Sequence, residues 1–170
     1  TVVNNVESIA SVTRIIEMGG EAYSKIGVGR STGTKLISAC GNINKPGVYE
    51  IDMTQTVEEF IYSDEFCGGI PNGKRLKACI PGGSSVPMLP ANLLLQTADG
   101  KPRYMNYESL AEGGFETGTM MGSGGFIVLD EDQDIVYHTC TISRFYRHES
   151  CGQCSPCRER THWLEKILKR

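Results

Sequence analysis

The sequence predicts an α+β fold, strands with helices that give way to helices alone near the end of the chain. Three observations predict it. Apolar alternation at period two recurs between Lys35 and Ile51 and again from Leu76 to Ile80. A capping box, Thr56 with Glu59, opens a helix between those runs. Helical spacing appears at both ends, from Val6 to Ile16 and again beyond Asp132.

The elements follow in order. Asn4 with Glu7 three residues on is an N-cap signature, and Val6, Ile9, Thr13 and Ile16 line one face before Gly19 and Gly20 end the helix. Turn formers fill 27–33. Lys35–Cys40 and Val48–Ile51 read as strands joined by the turn Gly41–Gly47, and Val57, Phe60 and Ile61 share a face of the capped helix. Leu76, Ala78 and Ile80 alternate along a third strand, Pro81–Pro90 reads as loop, and a polar connection runs to Gly113. Strand, hairpin, strand, helix, strand is how a β-grasp unit begins. Phe126–Leu129 is a further strand. Asp132 or Asp134 caps a helix carrying Ile135, Val136, Cys140, Ile142 and Phe145, and a last helix starts at Arg158.

Composition narrows the function. A net charge of -3 and a pI near 5.6 argue against a dedicated nucleic-acid binder. No apolar run approaches the roughly 18 residues of a membrane span, and Thr1–Asn5 shows no signal-peptide pattern. The first residue is not Met, compatible with processing or with a longer parent. Seven cysteines, an odd number without an export signal, favour reduced thiols or metal ligation over a disulfide framework.

Glycine, at 20 residues, is clustered enough to require testing for phosphate loops. Gly27-Val28-Gly29 and Gly122-Ser123-Gly124 both lack the third glycine of a dinucleotide loop, Thr32 and Ile127 standing in its place. Gly73-Lys74 is followed by Arg75, which excludes a P-loop, and Pro81-Gly82-Gly83-Ser84-Ser85 reads as a turn.

Cys151, Cys154 and Cys157 form C-x₂-C-x₂-C. Three thiols on so short a loop reach successive iron corners of a [4Fe–4S] cubane, with a fourth thiolate arriving from elsewhere. Zinc is the competing reading, with His148 or His162 as fourth ligand, but structural zinc usually pairs two separated elements. A thioredoxin-like pair leaves the third thiol idle. Cys40, Cys67, Cys79 and Cys140 read as core or surface thiols. From Ile142 to Arg170 there are seven Lys or Arg against three Glu, cations that favour a reduced, more negative cluster.

The stretch Glu149-Ser150-Cys151-Gly152-Gln153-Cys154-Ser155-Pro156-Cys157-Arg158 resembles the cluster motif of the NADH-binding flavoprotein subunit of respiratory complex I. Thr1–Glu7, Gly41–Glu50, Ile80–Ser85 and Gly122–Gly125 also resemble that family, in its order. The resemblance implies the end of an FMN-binding α/β domain over 1–33, a β-grasp domain over 34–115, and the start of a helical iron–sulfur domain over 116–170. It implies FMN contacts at Val3, Asn4 and Asn5, with helix capping as a compatible role for Asn4. It implies hydride transfer from NADH to FMN, then single electrons to the [4Fe–4S] cluster and on toward quinone. Implied partners are a [2Fe–2S] thioredoxin-like subunit and a large iron–sulfur subunit, at the cytoplasmic side of the inner membrane or in the mitochondrial matrix, without membrane insertion. Departures accompany it. The family's glycine-rich FMN and NADH motifs lie upstream, its fourth cysteine falls beyond Arg170, and Arg160 stands where glycine is frequent. These 170 residues alone are therefore expected to be inactive. Diaphorase subunits of hydrogenases and formate dehydrogenases share the motifs. The alternative from another class is a non-catalytic zinc-binding interaction module on a β-grasp.

Overall fold

The chain enters its first helix at Asn5 rather than Asn4. The Asn5 side chain accepts from the Glu7 amide at 3.0 Å and caps α1, Val6–Met18. Glu7 does not close a capping box, because its carboxylate serves the sheet instead: it accepts from the buried Lys35 ammonium and, at 2.9 Å, from the Leu36 amide. Burial works against the charge on Glu7, but those two donors outweigh it and hold the carboxyl below its ordinary value. The helix buries none of its residues, so the expected face of Val6, Ile9 and Ile16 is exposed. After α2 (Gly20–Tyr23), β1 (Gly27–Val28) and β2 (Ser31–Thr32) form a small antiparallel ladder.

The main sheet then begins with β3 (Lys35–Gly41) and β4 (Gly47–Ile51), antiparallel with Ile37 opposite Tyr49. The Thr56–Glu59 capping box forms as expected and opens α3 (Val57–Tyr62), which buries Val57, Phe60 and Ile61. A 3₁₀ turn leads to β5 (Leu76–Ile80). The expected loop Pro81–Pro90 ends in a short strand, β6 (Leu89–Pro90), that pairs with β5. The expected polar connection contains α4 (Ala91–Leu95), α5 (Tyr107–Ala111) and α6 (Gly114–Thr117). Finally β7 (Gly125–Asp130) enters the middle of the sheet, giving the order β4-β3-β7-β5-β6. It runs parallel to β3, with Phe126 beside Ala39, and antiparallel to β5, with Val128 beside Cys79. One face of this sheet and α3 enclose the core, where Phe60 meets Phe126 edge-on at 5.0 Å between ring centroids.

The structural model, which is computed, describes residues 1–169 in two compact units, Thr1–Asp130 and a second from Glu131 onward. The boundary expected between 115 and 116 therefore falls within the first unit. The reason is β7, which belongs to the sheet by pairings with residues more than 45 positions earlier. The segment 1–33 is likewise part of that unit, tied in by Glu7. In the second unit α7 (Ile135–Glu149) is capped by Asp134, whose side chain accepts from the Val136 and Tyr137 amides. The last helix, α8, spans Ser155–Leu168 and so starts inside the cysteine motif, three residues before the position expected.

The glycine clusters at 82–83 and 122–125 lock against each other. Gly83 N–H donates to the Gly125 carbonyl at 2.6 Å, and Ser123 N–H donates to the Gly82 carbonyl at 3.0 Å. These amides are consumed within the fold, which agrees with the turn reading of both loops.

Arg103 organises the segment that the sequence presented as a plain connection. It is fully buried, and among the described residues its guanidinium donates to backbone carbonyls: Leu93 at 2.9 Å through Nε, Ser109, Leu110 and Glu112 through Nη1, and Thr117 at 3.0 Å through Nη2. Burial lowers its pKa from the ordinary arginine value, partly countered by Glu112. One side chain thus satisfies acceptors from α4, α5 and α6. Arg103→Met keeps the stem and strands those carbonyls, each costing about 1–3 kcal/mol when buried unpaired. The expected outcome is a loss of at least about 3 kcal/mol in urea unfolding of the first unit; an unchanged midpoint contradicts this role.

Candidate metal centre

The second unit is a helix–loop–helix, and the cysteine motif spans the loop and the first turn of the second helix. Cys151 lies just past the C-cap of α7, Cys154 is the N-cap residue of α8, and Cys157 sits in the first turn of α8. Cys151 and Cys154 are exposed, Cys157 is half-buried, and all three are free thiols. The loop turns at Gly152, whose φ of +72° lies in the left-handed region that a side chain would strain. Cys154 caps α8 without a side-chain hydrogen bond, a position usually given to Ser, Thr, Asp or Asn.

Three soft sulfur donors with no competing disulfide suit iron–sulfur or zinc chemistry. Among the described residues, no three His, Cys, Asp or Glu side chains converge on one point as a single ion requires. A cubane differs in that each thiolate takes its own iron corner. Of the two histidines offered as zinc ligands, His148 Nδ1 lies 2.9 Å from the Glu149 carboxylate.

One carboxylate clamps the hairpin. Glu165 on α8 is 3% exposed and is met at 2.7 Å by Arg147 Nη1, at 3.4 Å by Arg144 Nε and at 2.6 Å by Lys169 Nζ. The hydrogen bonds from Lys169 and Arg147 hold its carboxyl down to about 2. Three of the seven basic residues near the motif thus serve a structural anion. Arg170, another of the seven, lies outside the described residues.

The remaining cysteines divide by burial. Cys67 and Cys79 lie in the core of the first unit, where burial pushes the Cys67 thiol up to about 12 and the Cys79 thiol well above its ordinary value. Cys40, on a strand as expected, points to the outer face and is exposed. Cys140 is buried on α7, nine residues before the helix ends and so roughly 14 Å along its axis.

The residues carried over as FMN contacts lie at the other end of the chain, before and at the cap of α1. Val3, Asn4 and Asn5 are all exposed. Asn5 also lines a cleft of about 660 Å³ between α1 and the outer face of β3 and β4, with Glu7, Arg14, Tyr23, Leu36 and Glu50. Val3 and Asn4 are not among its lining residues.

A family model described as the NADH-ubiquinone oxidoreductase-F iron-sulfur binding region matches residues 138–170 and so contains the whole cysteine loop. Relatives named as the F subunit of NADH-quinone oxidoreductase match this chain from end to end. The protein of Rickettsia bellii is 44% identical and that of Rickettsia felis 43% identical over 171 residues. The chain is homologous to the F subunit of NADH-quinone oxidoreductase. It spans 38% of the length of the Rickettsia bellii protein and 37% of that of Rickettsia felis. A solved NAD+-reducing [NiFe]-hydrogenase in its air-oxidised state shares the fold over 99% of this chain, with a TM-score of 0.76 and 30% identity, the match covering 26% of that hydrogenase chain. The matched region, 138–170, includes the three cysteines and most of both helices.

The pairing of Glu165 with Arg147 and Lys169 follows no fixed motif and was not legible in the sequence. The only signal for Glu165 was an acidic residue within a basic stretch. Because its folded pKa is depressed, its contribution is complete above about 4.5 and is lost as pH falls toward about 2. Helical circular dichroism of the chain is expected to show a transition in that window, and Glu165→Gln to remove it while weakening the hairpin at pH 7. An unaltered acid profile in the variant sinks the clamp assignment.

Proposed function

We propose that this chain carries electrons within the flavoprotein subunit of an NADH:quinone oxidoreductase, from NADH-reduced FMN to a [4Fe–4S] cluster and onward to quinone. The observation that carries the reading is the C-x₂-C-x₂-C loop of a two-helix hairpin, at the residues matched by the family's iron–sulfur region. When bound, the cluster supplies one-electron transfer. Cys151, Cys154 and Cys157 hold it, with a fourth thiolate from outside these residues. The first turn of α8, with its partial positive charge and a thiol at the cap, favours an anionic group there.

Residues 34–130 form the β-grasp domain, supported by the order β4-β3-β7-β5-β6 with the last strand central and parallel to the first. The segment 1–33 closes an FMN-binding domain, and Val3, Asn4 and Asn5 supply one wall of the flavin site, a reading that the cleft supports at Asn5 alone. NADH is the substrate of the whole subunit. The higher identity to the quinone-linked relatives, 44% against 30% for the hydrogenase, supports quinone as the distant acceptor. The partners are a [2Fe–2S] thioredoxin-like subunit and a large iron–sulfur subunit of a multi-subunit assembly. The subunit's place is peripheral, on the cytoplasmic or matrix side; no helix among the described residues is long and apolar enough to cross a membrane.

Iron and acid-labile sulfide analysis of the full-length subunit, with electron paramagnetic resonance after reduction, tests this. Four irons per subunit and a reduced-cluster signal are expected, with Ser at any of Cys151, Cys154 or Cys157 lowering both. Stoichiometric zinc without iron refutes the cluster and favours the zinc module.

A further inference from the structure

Arg158 occupies an unusual place. It stands in the first turns of α8, where a cation opposes the helix dipole. Its side chain is 48% exposed, and the guanidinium turns back over the preceding loop. Nη1 donates to the Gly152 carbonyl at 2.8 Å and to the Gln153 carbonyl at 3.4 Å, while Nη2 donates to Ser155 Oγ at 3.2 Å. Nε lies 3.3 Å from the Glu159 carboxylate, a neighbour on the same helix. The two carbonyls belong to the residues between Cys151 and Cys154, and Ser155 is the first residue of α8. One planar cation therefore ties the loop backbone to the helix that carries Cys157.

Little else in the loop could substitute for this tie. The cap of α8 has no side-chain hydrogen bond, and Gly152 offers a left-handed φ with open space around its Cβ position. From the α7 side, Gly152 N–H donates to Ser150 Oγ at 3.2 Å.

We infer that Arg158 is a positioning residue for the cysteine loop: its guanidinium fixes the backbone between Cys151 and Ser155, so that three thiolates are presented to one iron–sulfur group. It touches neither iron nor sulfide and acts through the backbone it holds. The inference rests on the cluster reading above. Supporting residues of this kind change metal affinity by about 10–100-fold when removed.

The test uses the full-length subunit in its assembled complex. Iron release to bathophenanthroline disulfonate is timed under reducing, anaerobic conditions for the unmodified protein, Arg158→Met and Arg158→Lys. The methionine keeps the stem and loses every donor, whereas the lysine ammonium can replace Nη1 at the carbonyls without reaching Ser155. Iron release about 10-fold faster in Arg158→Met, with Arg158→Lys in between, is expected. The reduced-cluster resonance of the assembled variant should also shift or broaden, which a loss of helix stability alone does not produce. Release and line shape equal to the unmodified complex in Arg158→Met overturn the inference and leave the cluster reading standing. If Arg158→Met fails to assemble, Arg158→Lys decides: faster release supports the role and an unchanged rate overturns it. An unmodified complex without iron removes the cluster reading itself.

Discussion

The first unit depends on the arrival of β7 in a gap between two hairpins. Until residues 125–130 are in place, β3 and β5 each present an unpaired inner edge, and the core lacks Phe126 and Val128. Phe126 is the ring that Phe60 meets, and Phe60 in turn lies 5.3 Å from Phe66. Burial of this aromatic group and of the sheet's core face therefore waits on contacts between residues nearly ninety positions apart in sequence. Such pairings carry a loop-closure cost before they return any stability, which makes them late and cooperative.

The second unit is held differently. Its two helices bury only Cys140, Ser143 and Glu165 among the described residues, while Trp163, Leu164 and Ile167 stay exposed. With little apolar area removed from water, the hairpin relies on one carboxylate and three cations. Loss of a partner leaves this carboxylate less well compensated and the hairpin weaker. The cysteine loop is fixed to this ionic frame at one end by the Arg147 turn of α7 and at the other by the first turn of α8.

Legibility in the sequence followed the range of the interactions. The Thr56–Glu59 box, the β3–β4 hairpin and the Asp134 cap are local and readable within a few residues. The cysteine spacing is readable because its chemistry is written in consecutive positions. Asn5 replaces Asn4 as a cap because Glu7 is claimed by Lys35, 28 residues on. The boundary near 115 fails because nothing within 116–130 reveals a partner in β3 or β5. The helices between 91 and 117 are invisible because each is short and shares acceptors with Arg103, a residue that looks solvated in sequence. Cys40 reads as a core or surface thiol, and the structure places it on the exposed face of its strand.

The two interlocked glycine loops leave the molecule no route of compensation. A methyl group on Gly122 would stand 2.2 Å from the Gly82 carbonyl oxygen, and one on Gly82 would stand 2.2 Å from the Met120 carbonyl oxygen. In a packed core, an enlarged side chain can often be forgiven by trimming its neighbour. Here the opposing atoms are main chain, and on one side the residue is already glycine, so nothing smaller exists to give way. Drift at either loop is thereby closed off one position at a time, and the joint can be rebuilt only by replacing both strands of backbone together.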